Sequence, residues 1–394
     1  MTNLRDLLDL VARWIHLIAG IMWVGNSMLF NWLDRNLDEE GRIWLVHSGG
    51  FYDVVKKQLT PNQLPRILHW FKWQSYTTWM TGIALLILVY YADHAGQMID
   101  PNVRALHPHL AITIGLGTVF GGFFLYDLIW RSPLKKVELA ATAFTLALFA
   151  GGVWMLTHTL SGRAAYIHVG ALLGTCMSGN VFFHIIPSQR VLVAETKEGK
   201  PQDKAFALRA KQRSIHNNYM TFPLLFIMVS NHFPQTYGTK LGWLTLGVLM
   251  VAGALIRHFM NIRFTFRAWL PALLATFAAG FAALYFLAPK AQAETPQQEN
   301  ELSLAERRIL LANLRLVVAQ RCQPCHSQQP TDKTFAAPPQ GVTFDTFEQM
   351  KLRASRMKVR AVDTKTMPFA NKTGMTDEER DVIAQWVAAG APAD

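Results

Sequence analysis

The sequence predicts an all-α fold: a bundle of eight membrane-spanning helices followed by a small soluble helical domain. Three observations carry this. Of 394 residues, 51% are hydrophobic and only 16% charged, against roughly 25% charged in ordinary soluble chains. The apolar excess lies in long runs before residue 290, whereas residues 291–394 read as ordinary soluble protein. Lys and Arg then alternate sharply between successive loops of the apolar part. The composition excludes a disordered chain, and three Cys are too few for a disulfide scaffold.

A crossing needs roughly 17–25 mainly apolar residues. The runs that qualify fall at about 7–33, 74–92, 110–130, 138–157, 164–187, 218–233, 241–259 and 268–288. The sixth is the weakest, being short and carrying Pro223. The first is interrupted by Arg13 and His16 and lacks a small-residue cleavage site, so it reads as a retained helix rather than a signal peptide.

Loop charge sets the orientation. The odd-numbered loops hold Arg35, Arg42, Lys56, Lys57, Arg66 and Lys72; then Arg131, Lys135 and Lys136; then seven Lys or Arg from Arg190 to Arg213; then Arg263 and Arg267. The even-numbered loops hold only Arg104, Arg163 and Lys240. The odd loops are therefore expected in the cytoplasm, with both termini and the soluble domain outside. The net charge of +11 is mainly this topology signal and gives no argument for nucleic acid.

The division expected is a membrane domain at 1–289, a polar linker covering 290–300 in a stretch that holds Pro289 and Pro296, and a soluble domain at 301–394. The soluble part holds Cys322-Gln323-Pro324-Cys325-His326, the attachment pattern of a c-type haem. Two thiols three residues apart can each form a thioether to the porphyrin edge, and His326 then lies beneath the iron as proximal ligand. A redox or zinc CxxC with a chance His is the weaker alternative. A helix at Leu302–Ala319 leads into the motif, and a final helix opens with a capping box, Thr376 to Glu379, burying Ile383, Trp386 and Val387. Met367, followed by Pro368 in a loop-like segment, is the expected distal ligand, with Met350, Met357 and Met375 as competitors that read as core filler. This amounts to a class-I-like cytochrome c domain. Haem c is attached outside the cytoplasm, where loop charge independently places the tail.

The two halves of the membrane domain resemble each other. Gly25-Asn26 in the first span matches Gly179-Asn180 in the fifth, and Tyr76-Thr77-Thr78 matches Tyr219-Met220-Thr221. The offset of about 150 residues suggests a parallel four-plus-four repeat with a site between the halves. Polar residues within the spans fall in two layers, which by cost should face the interior. The outer layer holds Arg13, His16, His158, His168, Asn231 and His232. The inner holds Asn26, His69, Asp127, Asn180, His184, His216, Asn217, Asn218, Arg257 and His258.

Arg13-Trp14-Ile15-His16 and Trp23-Val24-Gly25-Asn26 in an eight-helix membrane domain, fused to a CxxCH cytochrome, make a rare combination. The chain resembles, over its whole length, the bacterial membrane-bound, cytochrome-c-linked urate oxidases, also called urate hydroxylases. The resemblance implies an enzyme of purine catabolism in the bacterial inner membrane, among membrane lipid. It would oxidise urate to 5-hydroxyisourate without releasing peroxide, passing electrons through haem c to a downstream cytochrome c or terminal oxidase.

The residues suit a planar, weakly acidic anion. Arg257 could hold its charge, Asn26 and Asn180 could read ring amides, and His184 or His258 could take a proton. Two electrons leave urate while one haem c holds one, so a second centre is a further expectation. His16 and His168 are its candidate ligands, as a haem b in the outer layer. Their different spacing from the Gly-Asn pairs weakens a symmetric arrangement. Two rival readings remain: an electron-transfer subunit fed by a quinol or a partner dehydrogenase, and a transporter or sensor with a cytochrome appended.

Overall fold

The computed structural model describes residues 4–92, 95, 97–100, 103–239, 241–288, 303–332, 334–335 and 337–393. The linker expected at 290–300 lies outside the described residues. A helix stands at each of the eight expected places. These are α1 (Leu4–Asn36), α2 (Trp73–Leu86, continued by a π turn at Ile87–Tyr91), α3 (Pro108–Arg131), α4 (Glu138–Thr157), α5 (Gly162–Lys197), α6 (Lys204–Ser230), α7 (Gly242–Ile262) and α8 (Trp269–Leu287). Six of them, all but α2 and α6, are long and apolar enough to cross a membrane. The α-helical part of α2 is only 14 residues long, and the first half of α6 carries Lys204, Arg209, Lys211 and Arg213.

Two expectations need correction. The fold is not wholly helical, because β1 (Arg42–His47) and β2 (Gly50–Val55) form an antiparallel hairpin after α1. Its strands are rich in β-branched and aromatic residues, and Ser48 and Gly49 both take positive φ in the two-residue turn. The stretch after the fifth span is not a loop either. Strong helix formers extend α5 to Lys197, and Asp203 caps α6 by accepting from the Ala205 backbone NH.

The two halves are not equally enclosed: the apolar window of α5 is 72% buried and that of α1 only 6%. Helix α5 sits at the centre, touching α2, α3, α4 and α6, while α1 packs mainly on α2. The outer faces of α1 and α8 present large apolar side chains such as Leu10, Trp14, Phe277 and Phe281, as lipid-facing surfaces do.

The C-terminal domain is built on α9 (Leu304–Arg321), α10 (Phe347–Leu352), α11 (Ala354–Met357) and α12 (Asp377–Ala388). Both long helices open with capping boxes, Ser303 with Glu306 and Thr376 with Glu379. Leu314, Val318, Ile383 and Trp386 fill the core, with Val387 half-buried at its edge. Arg321 spans the two helices to Glu379, its Nε 2.9 Å from Oε2. Two of the contacts between this domain and the membrane domain are specific in geometry. The Arg163 guanidinium lies over the Phe369 ring at 5.2 Å. At Gly238 any Cβ would stand 2.8 Å from the Thr364 carbonyl oxygen, so only glycine permits that approach.

Candidate functional site

The chemistry-bearing residues gather in three places. The first is a cavity of about 2320 Å³ whose upper part is lined by Cys322, Cys325, His326 and Met367. Helix α9 ends at Arg321, and the His326 NH bonds back to the Cys322 carbonyl at 2.8 Å, winding the motif into a tight turn. Both thiols are free. Burial pushes Cys322 up to about 12 and Cys325 to about 11. A redox dithiol or a zinc site needs thiolates, which such surroundings disfavour. Among the described residues no three His, Cys, Asp or Glu side chains converge as they would around a bare metal ion.

Nδ1 of His326 donates to the Val342 carbonyl oxygen at 3.0 Å, which selects the tautomer with its lone pair on Nε2. Burial lowers the pKa of this ring and so favours the neutral, ligating form. Met367 is held by its backbone: its NH donates to the Arg360 carbonyl at 2.9 Å, and its own carbonyl accepts from Arg380 at 2.8 Å. Met350, Met357 and Met375 belong to the domain core, although Met357 and Met375 also touch the cavity, whereas Met367 lies outside that cluster and is half-exposed to the cavity. Two thiols, an oriented imidazole and a thioether are the groups a covalent haem c requires.

The same cavity continues down into the membrane domain. It passes Arg163, Asn231 and His158, then runs between α1, α2, α5 and α6 to His16 and Trp79. Nδ1 of His16 bonds the Thr78 carbonyl oxygen at 2.9 Å and Thr81 Oγ1 at 3.1 Å. His168 does not share this cavity. It is fully buried, with Nδ1 bonded to the Ala164 carbonyl at 2.7 Å and Nε2 to the Tyr91 hydroxyl at 3.0 Å. A Cβ on Gly115 would stand 2.7 Å from that Nε2. With both nitrogens engaged and backbone against its edge, His168 does not fit the role of haem ligand.

The third place is a cavity of about 2230 Å³ that runs along α4 and α7 from Trp154 and Trp243 to the far end of the bundle, where Trp130, Phe183, His184, Arg213, His216 and His258 line it. Behind it lies a buried polar network. His184 Nε2 and Asp127 Oδ1 are 2.6 Å apart, and Arg213 donates to that same oxygen at 2.8 Å. Arg213 also reaches Asn180 Oδ1 at 3.2 Å. Asn180 Nδ2 donates to Asn217 at 2.8 Å and to the Tyr126 hydroxyl at 2.9 Å. Tyr126 in turn bonds His216 Nδ1 at 2.7 Å, and the His216 ring lies 4.2 Å from that of Trp130. Asn180 and His184 occupy a π turn, Asn180–Ile185, which aims both inward from α5.

Of the five expected catalytic residues, Asn180 and His184 thus share one network. His258 lines the same cavity, with Nδ1 2.8 Å from the Tyr219 hydroxyl. Arg257 does not join them. It is 4% exposed, pairs with Asn218 near Asn261, and lies over the Phe222 ring at 5.5 Å. Asn26 is half-buried on α1 and lines neither cavity.

Sequence reading missed Arg213, which it assigned to a basic loop. The signal was present: Arg213, His216 and Asn217 stand at i, i+3 and i+4, one face of a helix.

The site draws on α3, α5 and α6, and the comparisons concern this part of the chain. The family model described as urate oxidase N-terminal matches residues 2–288. No curated protein sequence and no solved structure matches the chain. The match spans the whole membrane domain, with its buried His184–Asp127–Arg213 network and both cavities. The chain belongs to the urate oxidase N-terminal family, and so to the oxidoreductases related to urate.

Proposed function

We propose that this protein is a membrane-bound urate oxidase that oxidises urate to 5-hydroxyisourate and delivers the electrons to a haem c in its own C-terminal domain. One observation carries the reading: a domain matched to a urate oxidase family opens, through a single cavity, onto a CxxCH motif whose histidine is already oriented for an iron. The chemistry balances as urate plus water giving 5-hydroxyisourate, two protons and two electrons.

The inner cavity suits the substrate. Trp130 and Phe183 offer flat faces to a purine, and Arg213 brings a cation beside them. His184, held by Asp127, is placed to accept a proton from the ring or from the attacking water. Asn180 fixes Arg213 and can exchange amide contacts if the network opens. Asp127 cannot hold the proton alone while it balances Arg213, so His184 is the base.

In the C-terminal domain Cys322 and Cys325 would carry the thioethers, and His326 Nε2 and the Met367 sulfur would be the iron's protein ligands. The haem, when bound, accepts electrons one at a time. The lysines and arginines of the odd loops support eight crossings of a bacterial inner membrane, with this domain in the periplasm and the inner cavity on the cytoplasmic side.

The test is anaerobic. Urate added to the oxidised, detergent-purified protein should raise the reduced c-type α band as 5-hydroxyisourate forms, with no peroxide. Reduction by a quinol analogue with none by urate would instead leave an electron-transfer subunit.

A further inference from the structure

Urate gives up two electrons, and one haem c takes one. The Asp127–His184–Arg213 network and the CxxCH motif also stand toward opposite ends of a bundle that would cross about 30 Å of hydrocarbon. On the reading above, electrons must pass between them, and the structure holds an unfilled space on that route. Helix α1 packs on α2 but stands apart from α5 and α6. Membrane helices pack by close contact of their surfaces, and a gap forfeits that contact unless something fills it.

The gap is the inner arm of the outer cavity, and its walls are flat and apolar. Gly20 and Trp23 of α1, Trp79 and Gly82 of α2, and Gly174 of α5 line it. No atom lies within 4 Å of the position a Cβ on Gly174 would take. Into this slot His16 presents its ring. The Thr78 carbonyl and the Thr81 hydroxyl hold Nδ1, which fixes the proton there and leaves the lone pair on Nε2. Nε2 has no hydrogen-bond partner among the described residues. A Cβ on Gly82 would come within 3.1 Å of His16 Cε1, so the imidazole lies against bare backbone of α2. A histidine kept only to tie two helices together would need no open space on its other edge.

We propose that this slot binds an iron tetrapyrrole non-covalently, a b-type haem, with His16 Nε2 as an axial ligand and without His168. The electrons then balance within one chain. Of the two released by urate, one reduces the ferric iron at His16 and one the ferric iron at His326. Glycines on both walls admit a macrocycle, and its edge would face the c-type site through the same cavity.

The test counts haem without using urate. A pyridine haemochrome of the intact purified protein should give haem b and haem c in a one-to-one ratio, and acid-acetone should extract only the former. His16→Gly should lose the extractable haem and keep the c-type band, which certifies the fold, and added imidazole should restore the lost absorbance. His168→Ala, if it yields c-type protein, should retain haem b. Haem c alone in the wild type, or haem b undiminished in His16→Gly, overturns the proposal. So does a lipid or quinone recovered in place of haem. Urate oxidation by a protein with haem c only would sink the second centre and leave the enzyme reading standing. Two haems that urate never reduces would do the reverse.

Discussion

His184 Nε2 lies 2.6 Å from Asp127 Oδ1, and the same oxygen accepts from Arg213 Nη2 at 2.8 Å, so one carboxylate oxygen joins α5 to both α3 and α6. That sharing divides the labour. Arg213 supplies charge balance for Asp127, and His184 is the member of the trio proposed as the base at the cavity.

Replacing His184 with Gln keeps the hydrogen bond to Asp127 but removes the base. Urate-dependent haem reduction should fall by about 10²–10⁴-fold, the usual worth of a positioned general base. Reduction by dithionite should be unchanged. Stopped-flow absorbance of the c-type band on both variants checks this, and unaltered urate turnover would exclude His184 from proton transfer.

Arg213 is 1% exposed, and removing either member of a buried pair strands the other. Asp127→Leu or Arg213→Met alone should destabilise the bundle by about 3–5 kcal/mol. The double variant should recover most of that stability while losing activity. Thermal unfolding of all three in detergent reads the coupling.

Met367→Ala should abolish the methionine-ligation band of ferric haem c and lower its potential while sparing the fold. Met375→Ala, at a core position only 2% exposed, should do the opposite: about 2–5 kcal/mol of stability lost, ligation kept. A redox titration beside a denaturation curve separates the two.

The Glu379 carboxyl is held below the usual carboxylate range. Burial opposes this, but the Arg321 side chain and the Thr376 backbone NH outweigh it. A depressed folded pKa contributes stability above the unfolded value, about 4.3. That contribution is lost as pH falls through the folded value. The C-terminal domain should therefore loosen between α9 and α12 only below the unfolded value of about 4.3, and Glu379→Gln should be less stable at pH 7 with a flatter acid limb. Near-ultraviolet dichroism of Trp386 follows the transition.

Single cysteines test the orientation. Ser48→Cys in the β1–β2 turn should react only with reagents reaching the cytoplasmic face, and Gln385→Cys on α12 only from the periplasm. Labelling of both from one side would overturn the loop-charge assignment.

What the sequence disclosed tracks how local each signal is. The ends of α4 at Glu138 and Thr157 were legible because a charged residue and a turn bound a uniform apolar run. The Thr376–Glu379 box was legible because capping is a four-residue pattern. The hairpin at 42–55 was overlooked amid basic residues, although Ser48-Gly49 between two β-prone runs marks it. Arg213 was invisible for a different reason. Its burial depends on Asp127, 86 residues away, which a scan of apolar windows cannot register. The difference in burial between Gly25-Asn26 and Gly179-Asn180 was not legible, because short matches say nothing of burial and only the second pair lies at the centre.

The position of Arg213 also constrains how the bundle is made. Arg213 lies in the basic first half of α6, just ahead of an apolar run that is short and carries Pro223. This segment is a poor candidate to leave the translocon unaided. Its acceptor, Asp127 on α3, is synthesised earlier and is already in the bilayer when Arg213 emerges. The pairing that organises the candidate site thus also acts as a folding checkpoint, in which the third helix waits, charged, for the sixth.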